Sequence, residues 1–410
     1  MRGSASPKGE ARRECAGKAE RSDRRAREDY GWAGRFNQTV PGLPPKTRPP
    51  NTRGSPIQKA KPTLTQRPSP RNRSFFDANS SLTRTFSPMG ASAERSELRG
   101  QILDGRYRVG NTIGVGGTGI VFEAERLATL ERVVIKMLRP AHSGNPDLRS
   151  RVRREIEVAR CVFHPGIVPV IDYGTLYDES PYLVMKRMRS ESLSSYLRRC
   201  GPLTGAEVSV VVARLASILH SVHRHGYVHR DIKPEHILLN RGGYGELDVH
   251  LLDFGVCAAE SAPAEERARE RGRVYGTPSY SSPEQAAGNP YVDPRADLFA
   301  VGITMFEALT GKLPFTGSDV TAVLRRIIRE DAPRAKVLSP HVDDGLDCLV
   351  SKLLSRAPAT RYPSARALMR ALDPWLSDRI QTERSLAAKL QVAAEDSSIR
   401  PTARHEMVAA

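Results

Sequence analysis

Hydrophobic and polar positions change texture along the chain. Through residue 100 aliphatic residues are sparse, and eleven prolines and eleven serines interrupt any periodicity. Stretches such as Pro44-Pro45-Lys46-Thr47-Arg48-Pro49-Pro50 and Arg67-Pro68-Ser69-Pro70-Arg71 bury too little apolar surface to offset chain entropy, so 1–100 is expected to be a disordered tail. From Tyr107 onward short apolar runs alternate with turn residues, and 107–109, 121–124 and 133–137 predict strands. Residues 148–161 have the spacing of an amphipathic helix, and 167–173 and 182–185 read as further strands. From Ser192 the helical period dominates, over 207–225, 296–310, 320–329, 344–354 and 364–375, with a charged helix expected past Asp378. A strand-rich segment followed by a helix-rich one predicts an α+β protein with two lobes.

Charge refines this division. The chain of 410 residues carries 63 basic and 46 acidic side chains, net +17, of which +12 lies in residues 1–100 and only +5 in the rest. The basic excess therefore belongs to the Pro/Ser-rich tail, which reads either as a solvated leader or as an arm that docks on an acidic partner. Ser69 and Ser87, each followed by proline, are candidate phosphosites there. Binding to a specific nucleic acid is not expected. Cys15, Cys161, Cys200, Cys257 and Cys348 are scattered without CxxC spacing, which argues against a disulfide framework or a cysteine zinc site and suits a reducing compartment. The longest apolar run, 208–219, is broken by Arg214 and falls short of the roughly 18 residues of a membrane span. With no signal-peptide core at the start, the expectation is a cytoplasmic protein without a transmembrane segment.

Several short motifs carry chemistry. Gly114-Val115-Gly116-Gly117-Thr118-Gly119 with Val121 fits G-x-G-x-x-G-x-V, whose glycines let backbone N–H groups approach phosphates. By itself it is a weak signal, since glycine-rich hairpins are common, and its place between two strand-like runs argues against a dinucleotide fold. Lys136 follows twenty-two residues after Gly114 and ends the apolar run Val133-Val134-Ile135. Burying an ammonium requires an anion, with Glu155 on the next helix the best candidate; a surface lysine at a strand edge is the alternative. Asp231, in His229-Arg230-Asp231-Ile232-Lys233-Pro234-Glu235-His236, precedes Asp253, in Asp253-Phe254-Gly255, by twenty-two residues. Two carboxylates so arranged can share a site, one accepting a proton and one holding a hard cation.

Together these segments resemble the catalytic loop and metal-binding triplet of eukaryotic-type serine/threonine protein kinases, in the style of the bacterial members. Gly276-Thr277-Pro278, Ser282-Pro283-Glu284, Asp297 and Arg361 follow in the family's order, and the resemblance covers about 107–376. It implies a β-rich N-lobe and hinge over 107–188, a helical C-lobe over 189–376 and a partly helical tail over 377–410. It also implies phosphorylation of serine or threonine in protein substrates with ATP and Mg²⁺. By the same resemblance Gly114, Gly116 and Gly119 would cover the ATP phosphates, with Ile113 and Val121 flanking them. Lys136 would hold the α/β-phosphates and pair with Glu155. Val134, Met185 and backbone groups of Lys186 and Met188 would receive the adenine. Asp231 would accept the substrate proton, Lys233 would neutralise the γ-phosphate, Thr277 would bond near both, and Asp253 would bind the metal. Asp297 would brace the catalytic loop, and Arg361 would pair with Glu284.

Three features depart from that pattern. His236 occupies the metal-binding asparagine position, which implies a Mn²⁺ preference, slow transfer, or a non-catalytic nucleotide-binding module, the alternative being that a neighbouring water or carboxylate replaces the lost ligand and leaves usable activity. Val134 replaces the usual alanine and would narrow the adenine pocket. Between Asp253 and Gly276 the only hydroxyl residues are Ser261 and Tyr275. Kinases with arginine before the catalytic aspartate often have this segment ordered by a phosphate, so here Glu270 or a neighbour takes that part, or Ser261 is phosphorylated. The histidines His220, His223, His225, His229 and His236 have spacings that suit no single helical face, and a metal cluster is not expected of them.

Overall fold

Alternation with period two builds one sheet from six strands between residues 102 and 186. The computed structural model describes residues 98–116 and 119–390. The tail expected over 1–100, Gly117 and Thr118 of the glycine run, and residues 391–410 fall outside them, apart from 98–100. Strands β1 (Ile102–Leu103), β2 (Tyr107–Val115), β3 (Gly119–Arg126), β4 (Glu131–Leu138), β5 (Val170–Thr175) and β6 (Pro181–Lys186) form an antiparallel sheet in the order β1-β2-β3-β4-β6-β5. On β4, Val133, Ile135 and Met137 point into a core with Tyr107, Val109, Ile120, Phe122 and Tyr182. Val134 and Lys136 point the other way and are half-buried. That pleat carries the first candidate lysine to the opposite face of the sheet, the one on which Leu138 meets the following helix. Strand β5 begins three residues later than expected, after Pro169, while Ile167 makes an isolated parallel bridge to Leu251.

Helix α1 (Pro146–Cys161) starts where the Asn145 side chain accepts the N–H groups of Asp147 and Leu148, with proline in the first turn. Leu148, Val152 and Ile156 bury against Leu138 and Leu183 of the sheet. Glu155 shares that stripe, so the packing of α1 delivers a carboxylate to β4.

The helical part is built around two buried helices. Helix α2 (Leu193–Cys200) leads to α3 (Gly205–Arg224), whose entry is a reciprocal capping box between Thr204 and Glu207. Among the described residues α3 is the one helix long and apolar enough to cross a membrane; here Val208, Val211, Leu215, Leu219 and Val222 lie within the main core. Strands β7 (Glu191–Ser192), β9 (Ile237–Arg241) and β10 (Leu247–Leu251) form a small sheet, and β8 (Tyr227–Val228) pairs with β11 (Ala258–Ala259). These strands, and the short helices α4 (Ala264–Glu270) and α5 (Pro283–Ala286), lie in a region expected to be mainly helical. Segments of two to seven residues carry too little periodicity to be read locally, and cross-strand pairing decides them.

Helix α6 (Arg295–Thr310) has thirteen of its sixteen residues buried and runs through the centre. It is followed by α7 (Val320–Arg329), α8 (Ala335–Leu338), α9 (Asp344–Leu353), α10 (Ala365–Ala371) and α11 (Arg379–Ala388). Helix α10 stops short of the expected end at 375 because Pro374 cannot continue it, and Asp373–Trp375 forms a 3₁₀ turn instead.

Candidate active site

Three elements supply the first group of charges. The Lys136 Nζ on β4 lies 2.9 Å from Glu155 Oε2 on α1 and 2.8 Å from Asp253 Oδ1. Burial by itself would push the lysine down, but Glu155 and then Asp253 outweigh it, and its pKa moves up. Burial acts on Asp253 in the opposite sense, yet the ammonium of Lys136 and then His236 hold its carboxyl well below the usual range. Burial also pushes Glu155 up, against the pull of Lys136. An ammonium held between two carboxylates is fixed in direction and presents its remaining face to the cleft.

The second group lies on the loop between β8 and β9. One buried carboxylate organises it from α6. Asp297 Oδ2 accepts the backbone N–H of His229 at 2.9 Å, Oδ1 accepts that of Arg230 at 2.8 Å, and the His223 Nε2 donates to Oδ2 at 2.8 Å. Burial opposes the charge on Asp297, but these donors outweigh it and its pKa falls. His229 then uses its own ring: Nε2 donates to the Leu252 carbonyl at 3.1 Å, and Nδ1 accepts the Asp231 N–H at 3.3 Å. The braced loop holds Arg230 at φ 70°, and Asp253 sits at φ 64°. Each left-handed non-glycine residue costs about 1–3 kcal/mol and persists because its surroundings over-determine it.

The Asp231 carboxylate is fixed through both oxygens. The Thr277 N–H donates to Oδ1 at 2.7 Å, Lys233 Nζ lies 3.2 Å from Oδ2, and Lys233 also donates to Thr277 Oγ1 at 2.6 Å. Gly276 permits that approach: its φ is +89°, and a Cβ there would lie 2.6 Å from the Arg230 carbonyl oxygen.

His236 bridges the two groups. Its Nδ1 is 2.9 Å from the Asp231 carbonyl oxygen, which can only accept, so Nδ1 carries the proton. Burial lowers the pKa of the ring despite the nearby Asp253 and Asp231, and the neutral form leaves a lone pair on Nε2. That nitrogen lies 3.7 Å from Asp253 Oδ2, beyond hydrogen-bond distance. A carboxylate oxygen and an imidazole nitrogen at that separation suit a divalent cation that accepts nitrogen.

Above the lysine, Gly114 and Gly119 close the β2–β3 hairpin, with the Gly116 N–H donating to the Gly119 carbonyl at 2.9 Å. Ile113 is exposed and Val121 half-buried on the two strands. Val134 lies directly across from Met185 in the sheet. The Lys186 N–H is committed to the Pro169 carbonyl at 3.0 Å, and Met188 is half-buried just beyond β6.

Residues 107–375 match the model of the protein kinase domain. The chain belongs to the protein kinase family. Members of this family use ATP with Mg²⁺ and act on protein substrates. The chain is 31% identical over 299 residues to the serine/threonine-protein kinase PknH of Mycobacterium bovis, covering 73% of this chain and 48% of that one. It is 33% identical over 280 residues to pkn3 of Myxococcus xanthus (67% and 50% of the two chains). PrkC of Bacillus subtilis matches at 32% over 268 residues (65% and 40%). The kinase thus spans half or less of the length of these relatives, all three of them named serine/threonine-protein kinases.

Further contacts of this kinase domain were not legible in the sequence. Gln285 donates from its Nε2 to the Arg230 carbonyl at 2.9 Å. Arg151 and Arg230 lie over the Tyr275 ring at 5.5 and 5.9 Å, and Arg273 pairs with Asp147 of α1 at 3.1 Å. The charge alternation of 264–273 was the available signal, but it names no partners. Glu284 and Arg361 form the expected bidentate pair at 2.7 and 2.8 Å, with the arginine side chain fully buried. Of the other histidines in that set, His223 and His229 are taken up as described, and His225 by the Ser221 carbonyl.

Proposed function

We propose that this chain transfers the γ-phosphoryl group of ATP to serine or threonine hydroxyls of protein substrates. The observation that carries this reading is the Asp231 carboxylate, fixed by Thr277 and Lys233 opposite the Lys136–Glu155–Asp253 group. Asp231 orients the substrate hydroxyl and accepts its proton as the oxygen–phosphorus bond forms. The bridging oxygen leaves with ADP. Lys233 faces the negative charge of the γ-phosphate, and Lys136, held by Glu155, faces the α/β-phosphates. Gly114, Gly116 and Gly119 keep the hairpin low over the phosphates, with Ile113 and Val121 beside it.

Val134 and Met185 flank the adenine slot. The Lys186 N–H is already bonded, so its carbonyl is what remains for the adenine amine, with Met188 supplying its N–H. Asp253 and His236 would hold a divalent cation, which neutralises phosphate charge when bound. The Nε2 donor of His236 favours Mn²⁺ over Mg²⁺, since manganese accepts imidazole more readily. The rival of a non-catalytic module rests on His236 alone, and the names of the relatives give it no support.

The test is transfer from ATP to a generic basic protein with Mg²⁺ and separately with Mn²⁺. Signal in the wild type that is lost in a folded Asp231→Asn variant supports the reading. A folded wild type that binds ATP and transfers nothing with either metal refutes it.

A further inference from the structure

Resting on the kinase reading, we infer that Glu270 is the fixed anion of the activation segment. It is a positioning residue that makes this kinase competent without a phosphate on residues 254–276. Its Oε2 lies 2.7 Å from Arg230 Nη1, with the two side chains 12% and 5% exposed. Its Oε1 faces Arg154 Nη1 of helix α1 at 4.0 Å. One carboxylate therefore addresses the residue immediately before Asp231 and the helix that carries Glu155.

The placement of Glu270 is not explained by its own helix. It is the last residue of α4, where the helix dipole disfavours a carboxylate. What offsets that cost is the arginine pair. Arg230 is nearly buried, its Nε has no partner, and its guanidinium would be left without a counter-charge if Glu270 were neutral. The backbone of Arg230 is tied on both sides, its N–H to Asp297 and its carbonyl to Gln285. Displacing the side chain therefore strains the loop that holds Asp231.

Composition points the same way. Ser261 and Tyr275 are the only hydroxyl residues between Asp253 and Gly276. Ser261 is exposed at the start of the segment. The Tyr275 ring already lies under the guanidinium groups of Arg151 and Arg230. The Glu270 carboxylate, by contrast, is encoded in the chain and already paired with Arg230, so the link to Arg230 and α1 needs no modifying enzyme.

The test compares kcat of wild type before and after phosphatase treatment, and of Ser261→Ala, Glu270→Gln and Arg230→Gln with and without Glu270→Gln. Dephosphorylated wild type and Ser261→Ala should keep kcat within about twofold, while Glu270→Gln loses about tenfold or more with KM for ATP little changed. In the Arg230→Gln background, adding Glu270→Gln should cost less than about twofold, because the carboxylate acts through the arginine. Phosphatase treatment that abolishes activity, a fully active Glu270→Gln, or additive losses in the double variant would overturn the inference. Activity of the wild type tests the kinase reading separately. If the wild type is silent, amide exchange over 258–275 still decides the anchoring: faster exchange in Glu270→Gln supports it, and unchanged exchange overturns it.

Discussion

Replacing Gly276 with alanine tests the geometry around Asp231 most directly. The glycine has φ +89°, and an added Cβ would meet the Arg230 carbonyl oxygen at 2.6 Å and Asp231 Oδ1 at 3.1 Å. Relief to an ordinary 3.4 Å contact requires a backbone shift of about 0.8 Å. The left-handed conformation adds about 1–2 kcal/mol for an L-residue, and the total loss of stability should be about 2–4 kcal/mol. That is a melting temperature lower by about 5–10 °C, with the protein still folded at 25 °C.

The neighbouring Thr277 N–H fixes Asp231 at 2.7 Å, so the shift falls on the carboxylate proposed to accept the substrate proton. A misplacement approaching 1 Å should cost about 100-fold in kcat. KM for ATP should stay within about threefold, because the adenine slot proposed above lies on β4 and β6. Gly272→Ala is the internal control, since its φ is +75° and its added Cβ would meet nothing within 4 Å. It should lower kcat by less than about threefold. Equal losses in the two variants, or a Gly276→Ala enzyme of wild-type kcat, would refute the argument.

Three further outcomes are expected. His236→Asn should raise the Mg²⁺-supported rate relative to the Mn²⁺-supported one, read as the ratio of kcat values with the two metals; an unchanged ratio would separate His236 from the metal. Glu284→Gln leaves the fully buried Arg361 guanidinium without its charged partner and should lower the unfolding free energy by about 3 kcal/mol in denaturant titration. Val134→Ala should tighten ATP binding measured by calorimetry, because it removes two methyl groups facing the slot opposite Met185; weaker binding would mean that valine packs on the nucleotide.

Much of this fold was legible locally. The alternation over 133–137 marks both a strand and the face of it on which Lys136 lies, and the apolar stripe of α1 carries Glu155 on its buried side. The capped, strongly periodic helices α3, α7 and α9 follow the sequence pattern closely, because propensity, capping and amphipathicity agree there. The strands β7 to β11 are different. They are too short to hold a periodic signal, and they exist because β9 pairs with β10 and β7, and β8 with β11, on either side of the segments that present Asp231 and Asp253. The motifs around those two aspartates could be read as a shared site from their residue types and spacing. That spacing contains nothing about the left-handed backbone at Arg230 and Asp253, which the contacts to Asp297 and Gly255 enforce.

The sequence by itself determined the α+β class, the chemistry available at Lys136, Asp231 and Asp253, and the scarcity of hydroxyl residues in the activation segment. Each of these depends on residue identity and local period. Tertiary structure alone decided the contacts of Glu270 and of His236. Glu270 was one of several acidic residues in a charged run until α4 set it against Arg230 and Arg154, while His236 was a substitution of open consequence until the Asp231 carbonyl fixed its tautomer. The first pairing joins residues forty positions apart, and the second depends on the loop that Asp297 braces from α6, so packing in three dimensions sets both and no local pattern encodes them.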